Sequence, residues 1–178
     1  MRKFLVGFFI GVVVILLGGF LWVRLGFINP QADIPENAFE KNVAMPSLDA
    51  SVDRRAPEIK NPLQATGDNL AAGMKIYQMN CASCHGDTRQ PNGIFAEAFY
   101  PRAPQFIQDA PDMPENQNFY IIEHGVRLSG MPAWKQVLND QQVWQVTTFL
   151  SHMDKLPPDV SAQWKAMAGA GDSGATSK

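Results

Sequence analysis

The sequence predicts an all-α protein, with three or more helices joined by long loops in one compact domain behind a single N-terminal transmembrane helix. Three observations predict it. Residues 4–23 run for twenty positions without a charge. Later stretches repeat apolar residues at helical spacing. The sequence between them is rich in Gly and Pro and lacks the alternation of half-buried strands.

The first element is FLVGFFIGVVVILLGGFLWV at residues 4–23. At 1.5 Å per residue it spans about 30 Å, the thickness of a bilayer core. A secretory signal shares the basic start, but its apolar core is typically about 7 to 15 residues and ends on small residues. Here the run ends FLWVRLGF. An uncleaved anchor over residues 1–24 is the expectation and a cleaved signal the alternative. Arg2 and Lys3 precede the run, which keeps the N-terminus cytoplasmic and sends the rest to the periplasmic or extracytoplasmic side, where disulfides are permitted. Gly7 and Gly11 form a G-x-x-x-G pattern that lets another transmembrane subunit approach closely.

Residues 25–66 read as a Pro-rich linker, because Pro30, Pro35, Pro46 and Pro57 interrupt a polar stretch with no apolar period. Stretched at roughly 3 Å per residue, such a linker reaches over about 100 Å. Residues 157–178, from Pro157-Pro158 to GAGDSGATSK, read as a disordered tail. The compact domain is therefore 67–156.

Within it, DNLAAGMKIYQMN predicts a helix from Asp68 or Asn69 to about Asn80, with Leu70, Met74, Tyr77 and Cys81 on one face. PENQNFYIIEHG predicts a middle helix, with Pro114 near its start and Gly125 at its end. NDQQVWQVTTFLSHM predicts a last helix that opens on a capping box, Asn139 with Gln142, and stripes Val143, Val146 and Leu150 along one face.

The net charge of −2 gives no electrostatic reason to expect nucleic acid as a partner. About ninety residues with three short helices bury little apolar surface, so something else should fill the middle. The only cysteines, Cys81 and Cys84, lie in CASCHG. A four-ligand zinc site of the usual kind would need a second Cys pair or a His-rich cluster, and the sequence has neither; a redox-active dithiol expects a βαβ context. On a helical turn Cys81, Cys84 and His85 face one side. C-x-x-C-H then suits one covalent haem c, each thiol adding to a vinyl group and His85 reaching the iron. For a sixth ligand, Met131 in HGVRLSGMPAW lies between the middle and last helices, flanked by Gly130 and Pro132. Its competitors are Met113 and His124, for which the ordinary readings are a loop hydrophobe and a helix C-terminal charge.

The segment from Gly67 to Met153, about half the chain, resembles the single-haem class I cytochrome c domain. It is similar to the small haem domains of membrane-bound terminal oxidases and quinoprotein dehydrogenases. GMKIYQMNCASCHG and GMPAW carry the resemblance. It implies the class I cytochrome c fold, with Gly73 and Tyr77 packing the first helix across the Trp144 to Leu150 helix. YPRAPQF resembles the haem-edge loop, which implies that Pro101 or Pro104 offers a carbonyl to His85 and that Arg102 pairs with a haem propionate, a solvated surface charge being the alternative for Arg102. Trp134 is expected to cover the haem edge. The loop from His85 to Pro101 is longer than in the shortest members and leaves open which proline acts.

With iron held by His85 and Met131, the expected function is one-electron transfer in a respiratory chain, not catalysis at an open metal. The partners expected are redox proteins: a dehydrogenase or quinol-oxidising complex on one side and a terminal acceptor on the other. The alternative is a fixed haem subunit of a larger membrane oxidoreductase complex, and an open-site haem enzyme or gas sensor is a third reading. Residues 68–156 hold six basic and nine acidic side chains, and Asp109, Asp112 and Glu115 read first as an ordinary solvated loop, with one acidic docking patch as the alternative.

Overall fold

In the computed structural model, residues 1–35 and 37–169 are described, and the chain divides into two units, Met1–Gln31 and a second from Ala32 onward. The first unit is α1, Arg2–Arg24. Its unbroken apolar sequence forms a helix long and apolar enough to cross a membrane as a single-pass anchor.

The second unit is helical among the described residues: α2 Ala38–Arg55, α3 Gly67–Asn80, α4 Ala82–His85, α5 Glu115–His124, a 3-10 turn at Trp134–Gln136, α6 Asp140–Leu150 and α7 Pro158–Gly169. Its centre is the crossing of α3 and α6. Thr66 caps α3 through its side chain, and the reciprocal bonds of Asn139 and Gln142 start α6 as the sequence predicts. Leu70, Met74 and Tyr77 are fully buried on α3, facing Val143, Val146, Phe149 and Leu150. α5 joins this core through Phe119, whose ring stacks on Trp144 at 4.1 Å, and ends at Gly125, where φ is +67°.

Two segments read as unstructured are folded. Within the predicted 25–66 linker, α2 begins on a capping box of Asn37 and Glu40 and carries Pro46 inside it. Its last turn docks on α5: Val52 is buried, and Gln117 Nε2 donates to Asp53 Oδ1 at 2.8 Å. Further on, Asn116 Nδ2 donates to the Pro57 carbonyl at 3.0 Å and Asn61 Nδ2 to Thr148 Oγ1 at 2.8 Å. The extended reach expected of the linker is therefore too large.

The predicted 157–178 tail begins with α7. Pro158 opens the helix, where a missing N–H breaks no intrahelical bond. Val160 and Trp164, four residues apart, are buried on one face. The Trp164 ring meets Tyr77 at 5.7 Å and Phe149 at 5.3 Å. The remainder of the predicted tail, 170–178, lies outside the described residues.

Candidate functional site: the Cys81–His85 turn

The α3 helix hands the chain directly to α4. Cys81 N–H closes the last turn of α3 on the Tyr77 carbonyl at 2.8 Å. The Cys81 carbonyl then accepts from Cys84 N–H at 3.0 Å and His85 N–H at 2.9 Å. One turn thus sets Cys81, Cys84 and His85 at helical spacings of three and four. Both thiols are free and half-buried. Burial, aided by the neighbouring Cys84, pushes the Cys81 thiol up to about 12. A thiol so held is not the poised thiolate of a redox-active dithiol.

His85 is held on two sides. A carbonyl can only accept, so Nδ1–H donates to the Pro104 oxygen at 2.8 Å and leaves Nε2 available. The ring lies flat on Phe106 at 4.3 Å with 3° between planes. Phe106 N–H donates to the His85 carbonyl at 3.1 Å. Burial lowers the pKa of His85 despite the opposing Pro104 carbonyl, which keeps the imidazole neutral and able to ligate.

Of the two prolines left open by the sequence, the one bound to His85 is Pro104. Pro101 follows a cis peptide bond in the same loop and is not the histidine's partner. Phe106, whose ring lies on the imidazole beside Pro104, was visible in YPRAPQF but had no sequence signal of its own.

The turn is closed from below by Tyr77, whose buried hydroxyl donates to the Gly86 carbonyl at 2.7 Å. Burial first, and then the nearby Cys81 and Asp87, raise the Tyr77 phenol well above its ordinary value, so it stays a donor. Gly86 has φ of +82°, and a Cβ there would collide with the Pro91 carbonyl. Gly93 likewise packs on the Cys84 backbone, 2.5 Å from where its Cβ would stand. Asp87 is buried and accepts from Gln78 Nε2, Arg89 N–H and Gln90 N–H.

Met131 is half-buried against the apolar core in a tight loop. Ser129 Oγ accepts from Met131 N–H at 3.1 Å and donates to the Val126 carbonyl at 2.7 Å. Val126 N–H returns to the Met131 carbonyl at 3.2 Å. Gly125 admits this loop, since a Cβ there would lie 2.7 Å from the Met131 oxygen, and Gly130 takes the face of Phe99. The competing His124 is engaged at the surface, with Lys135 Nζ at 3.1 Å and Glu123 Oε2 at 3.3 Å. Met113 precedes α5, where its carbonyl accepts from Asn118 Nδ2. Trp134 is half-buried against the core at the start of the 3-10 turn. Arg102 Nη1 lies 3.2 Å from Glu97 Oε2, yet this buried nitrogen makes no hydrogen bond.

These residues fit a covalently bound haem. Two free thiols and a neutral imidazole share one helical turn, and the imidazole's other nitrogen, Nδ1, is already engaged. No group of three or more His, Cys, Asp and Glu side chains among the described residues could hold a bare metal ion.

Residues 68–150 match the family described as cytochrome c oxidase, cbb3-type, subunit III. Among solved structures, a chain of the reducing HAO-like protein complex of Kuenenia stuttgartiensis is similar at 21% identity, with a TM-score of 0.44. The match covers 53% of this chain and 48% of that one, so it spans about half the length of the solved relative. No curated protein matches.

Proposed function

Since residues 68–150 are a mono-haem c-type cytochrome domain whose role is electron transfer, we propose that the chain is a membrane-tethered carrier in a respiratory chain. It passes single electrons between a dehydrogenase or quinol-oxidising complex and a terminal acceptor. The observation that carries this reading is the locked imidazole of His85, with Nδ1 committed to Pro104 and Nε2 left over beside two thiols.

In this reading Cys81 and Cys84 would hold the haem through thioether bonds, His85 Nε2 and Met131 Sδ would serve as its protein ligands, and the haem iron would supply a one-electron couple. The protein's part is to keep both ligands fixed. Phe106 and Pro104 prevent the imidazole from turning, and the Ser129 hydrogen bonds hold the Met131 backbone. A ligand set that does not move between oxidation states demands little rearrangement when an electron arrives or leaves. Arg102 is assigned to a propionate and Trp134 to the haem edge.

The α1 helix is read as the anchor, being long and apolar enough to cross a membrane, and the basic Arg2 and Lys3 before it favour a cytoplasmic N-terminus with the haem domain on the periplasmic or extracytoplasmic side. A second reading is a fixed haem subunit of a larger membrane oxidoreductase complex. It is supported by the matched family, itself described as an oxidase subunit, and by the glycines Gly7 and Gly11 on α1, which are open to a neighbouring helix. Extraction in mild detergent followed by size analysis separates the two. A tethered carrier emerges alone, whereas recovery in constant ratio with other membrane subunits replaces the carrier with the subunit.

A further inference from the structure

The turn bearing His85 and the loop bearing Pro104 are tied a second time, by one side chain. Gln105 Nε2 donates to the Cys84 carbonyl at 2.9 Å and to the Ala103 carbonyl at 2.7 Å, and its Oε1 accepts from Gly93 N–H at 2.8 Å. Both carbonyls can only accept and the Gly93 N–H can only donate, so the partners fix which way the amide points. The two carbonyls belong to the peptide groups immediately before His85 and immediately before Pro104. Gln105 therefore grips both ends of the His85 Nδ1–H to Pro104 hydrogen bond at the main chain.

We infer that Gln105 is a positioning residue for the histidine ligand, holding the Pro104 carbonyl in line with His85 Nδ1 and thereby setting how strongly Nε2 donates to iron. The inference rests on the reading of His85 as an iron ligand. Glutamine suits the place for two reasons. Its amide supplies two donors and one acceptor, which neither glutamate nor an apolar side chain can. It also reaches both carbonyls while its own backbone stays between Pro104 and Phe106, the two residues that touch the imidazole. A hydrogen bond at Nδ1 makes the other ring nitrogen more basic and favours the oxidised iron. Loosening it should raise the reduction potential and expose the Nδ1 proton.

The test uses the full-length holo-protein and reads two quantities that a merely structural residue would not move together: the solvent exchange rate of the His85 Nδ1 proton by NMR in the reduced state, and the reduction potential. Gln105→Met, which keeps length and removes all three bonds, should speed exchange by about tenfold, the effect of losing one hydrogen bond, and raise the potential. Gln108→Ala is the control, because Gln108 also ties these loops through Asn92 but touches neither Pro104 nor the Cys84 carbonyl. It should leave both readouts unchanged. Equal effects from both variants, or none from Gln105→Met, overturn the inference while His85 remains the ligand. Should Gln105→Met fail to retain haem, Gln105→Asn, one methylene shorter, carries the same expectation at smaller size, and unchanged exchange there overturns it equally. A wild-type holo-protein with no haem-shifted His85 Nδ1 proton would instead remove the ligand reading on which the inference stands.

Discussion

Gly73 on α3 and Gln145 on α6 meet backbone to backbone: a Cβ built on Gly73 would stand 2.7 Å from the Gln145 carbonyl carbon and 2.8 Å from Cβ of Phe149. The helix crossing at the centre of the domain is possible at this distance only because residue 73 has no side chain. Gly73→Ala is expected to cost about 3 kcal/mol through overpacking, seen as a lower denaturant midpoint of the holo-protein. Gly7→Ala on α1, where nothing lies within 4 Å, should leave that midpoint where it is. An alanine accepted at 73 without loss would mean that the helices do not cross this closely.

Tyr77 links the same crossing to the haem-binding turn. Tyr77→Phe keeps the ring but leaves the buried Gly86 carbonyl without its donor. The expected loss is about 1–3 kcal/mol, with covalent haem retained. Thermal unfolding of the holo-protein with and without the hydroxyl checks it, and equal stability would show that the bond contributes nothing.

The α7 helix lies beyond the stretch matched by the family yet supplies part of the core. Trp164 is 4% exposed and packs edge-on against Tyr77 and Phe149. Trp164→Ala is expected to cost about 3–5 kcal/mol, measured by chemical denaturation. A neutral result would make α7 an appendage.

The contrast between α6 and α7 explains how much could be read beforehand. The first, middle and last helices of the domain were legible because their signals are local: the face of Leu70, Met74 and Tyr77, the glycine after His124, and the Asn139–Gln142 box. In α2 and α7 the prolines argue locally for stops. Pro158 instead begins a helix, and Pro46 is tolerated inside one that is anchored by Val52 at its far end. What stabilises both is burial against residues distant in sequence, which no local pattern encodes. Within the site, Cys81, Cys84 and His85 were fixed by spacing alone. The choice of Pro104 over Pro101 depends on which carbonyl the folded loop turns toward the imidazole, and that direction is set by Gln105 and Phe106 contacting the turn across some twenty residues of chain.

Asp87 gives the fold an acid dependence. Burial alone would raise its pKa, but the Gln78 amide and the Gln90 and Arg89 N–H groups outweigh that and hold it below the ordinary carboxylate value. A carboxyl with a depressed folded pKa contributes stability that is present above its unfolded value of about 4 and is lost as pH falls through the folded value. Asp87→Asn keeps an acceptor for Arg89 and Gln90, and its new amide can face Gln78 Oε1, which is buried without a partner. The variant should therefore be less stable than wild type at pH 6, with the gap narrowing below about pH 4. Denaturation at both pH values checks this, and a gap independent of pH would contradict it.

The central proposal is that His85 and Met131 would both ligate the haem iron and so leave it closed to other ligands. The most direct measurement is the visible and near-red absorption of the holo-protein in both redox states, wild type beside Met131→Ala, with and without carbon monoxide. The account predicts that the oxidised wild type shows the weak near-red band of sulfur-ligated haem and that its reduced form resists carbon monoxide. The variant should lose the band, bind carbon monoxide readily and fall in potential. A wild type that takes up carbon monoxide at once, or a variant that keeps the near-red band, would contradict it.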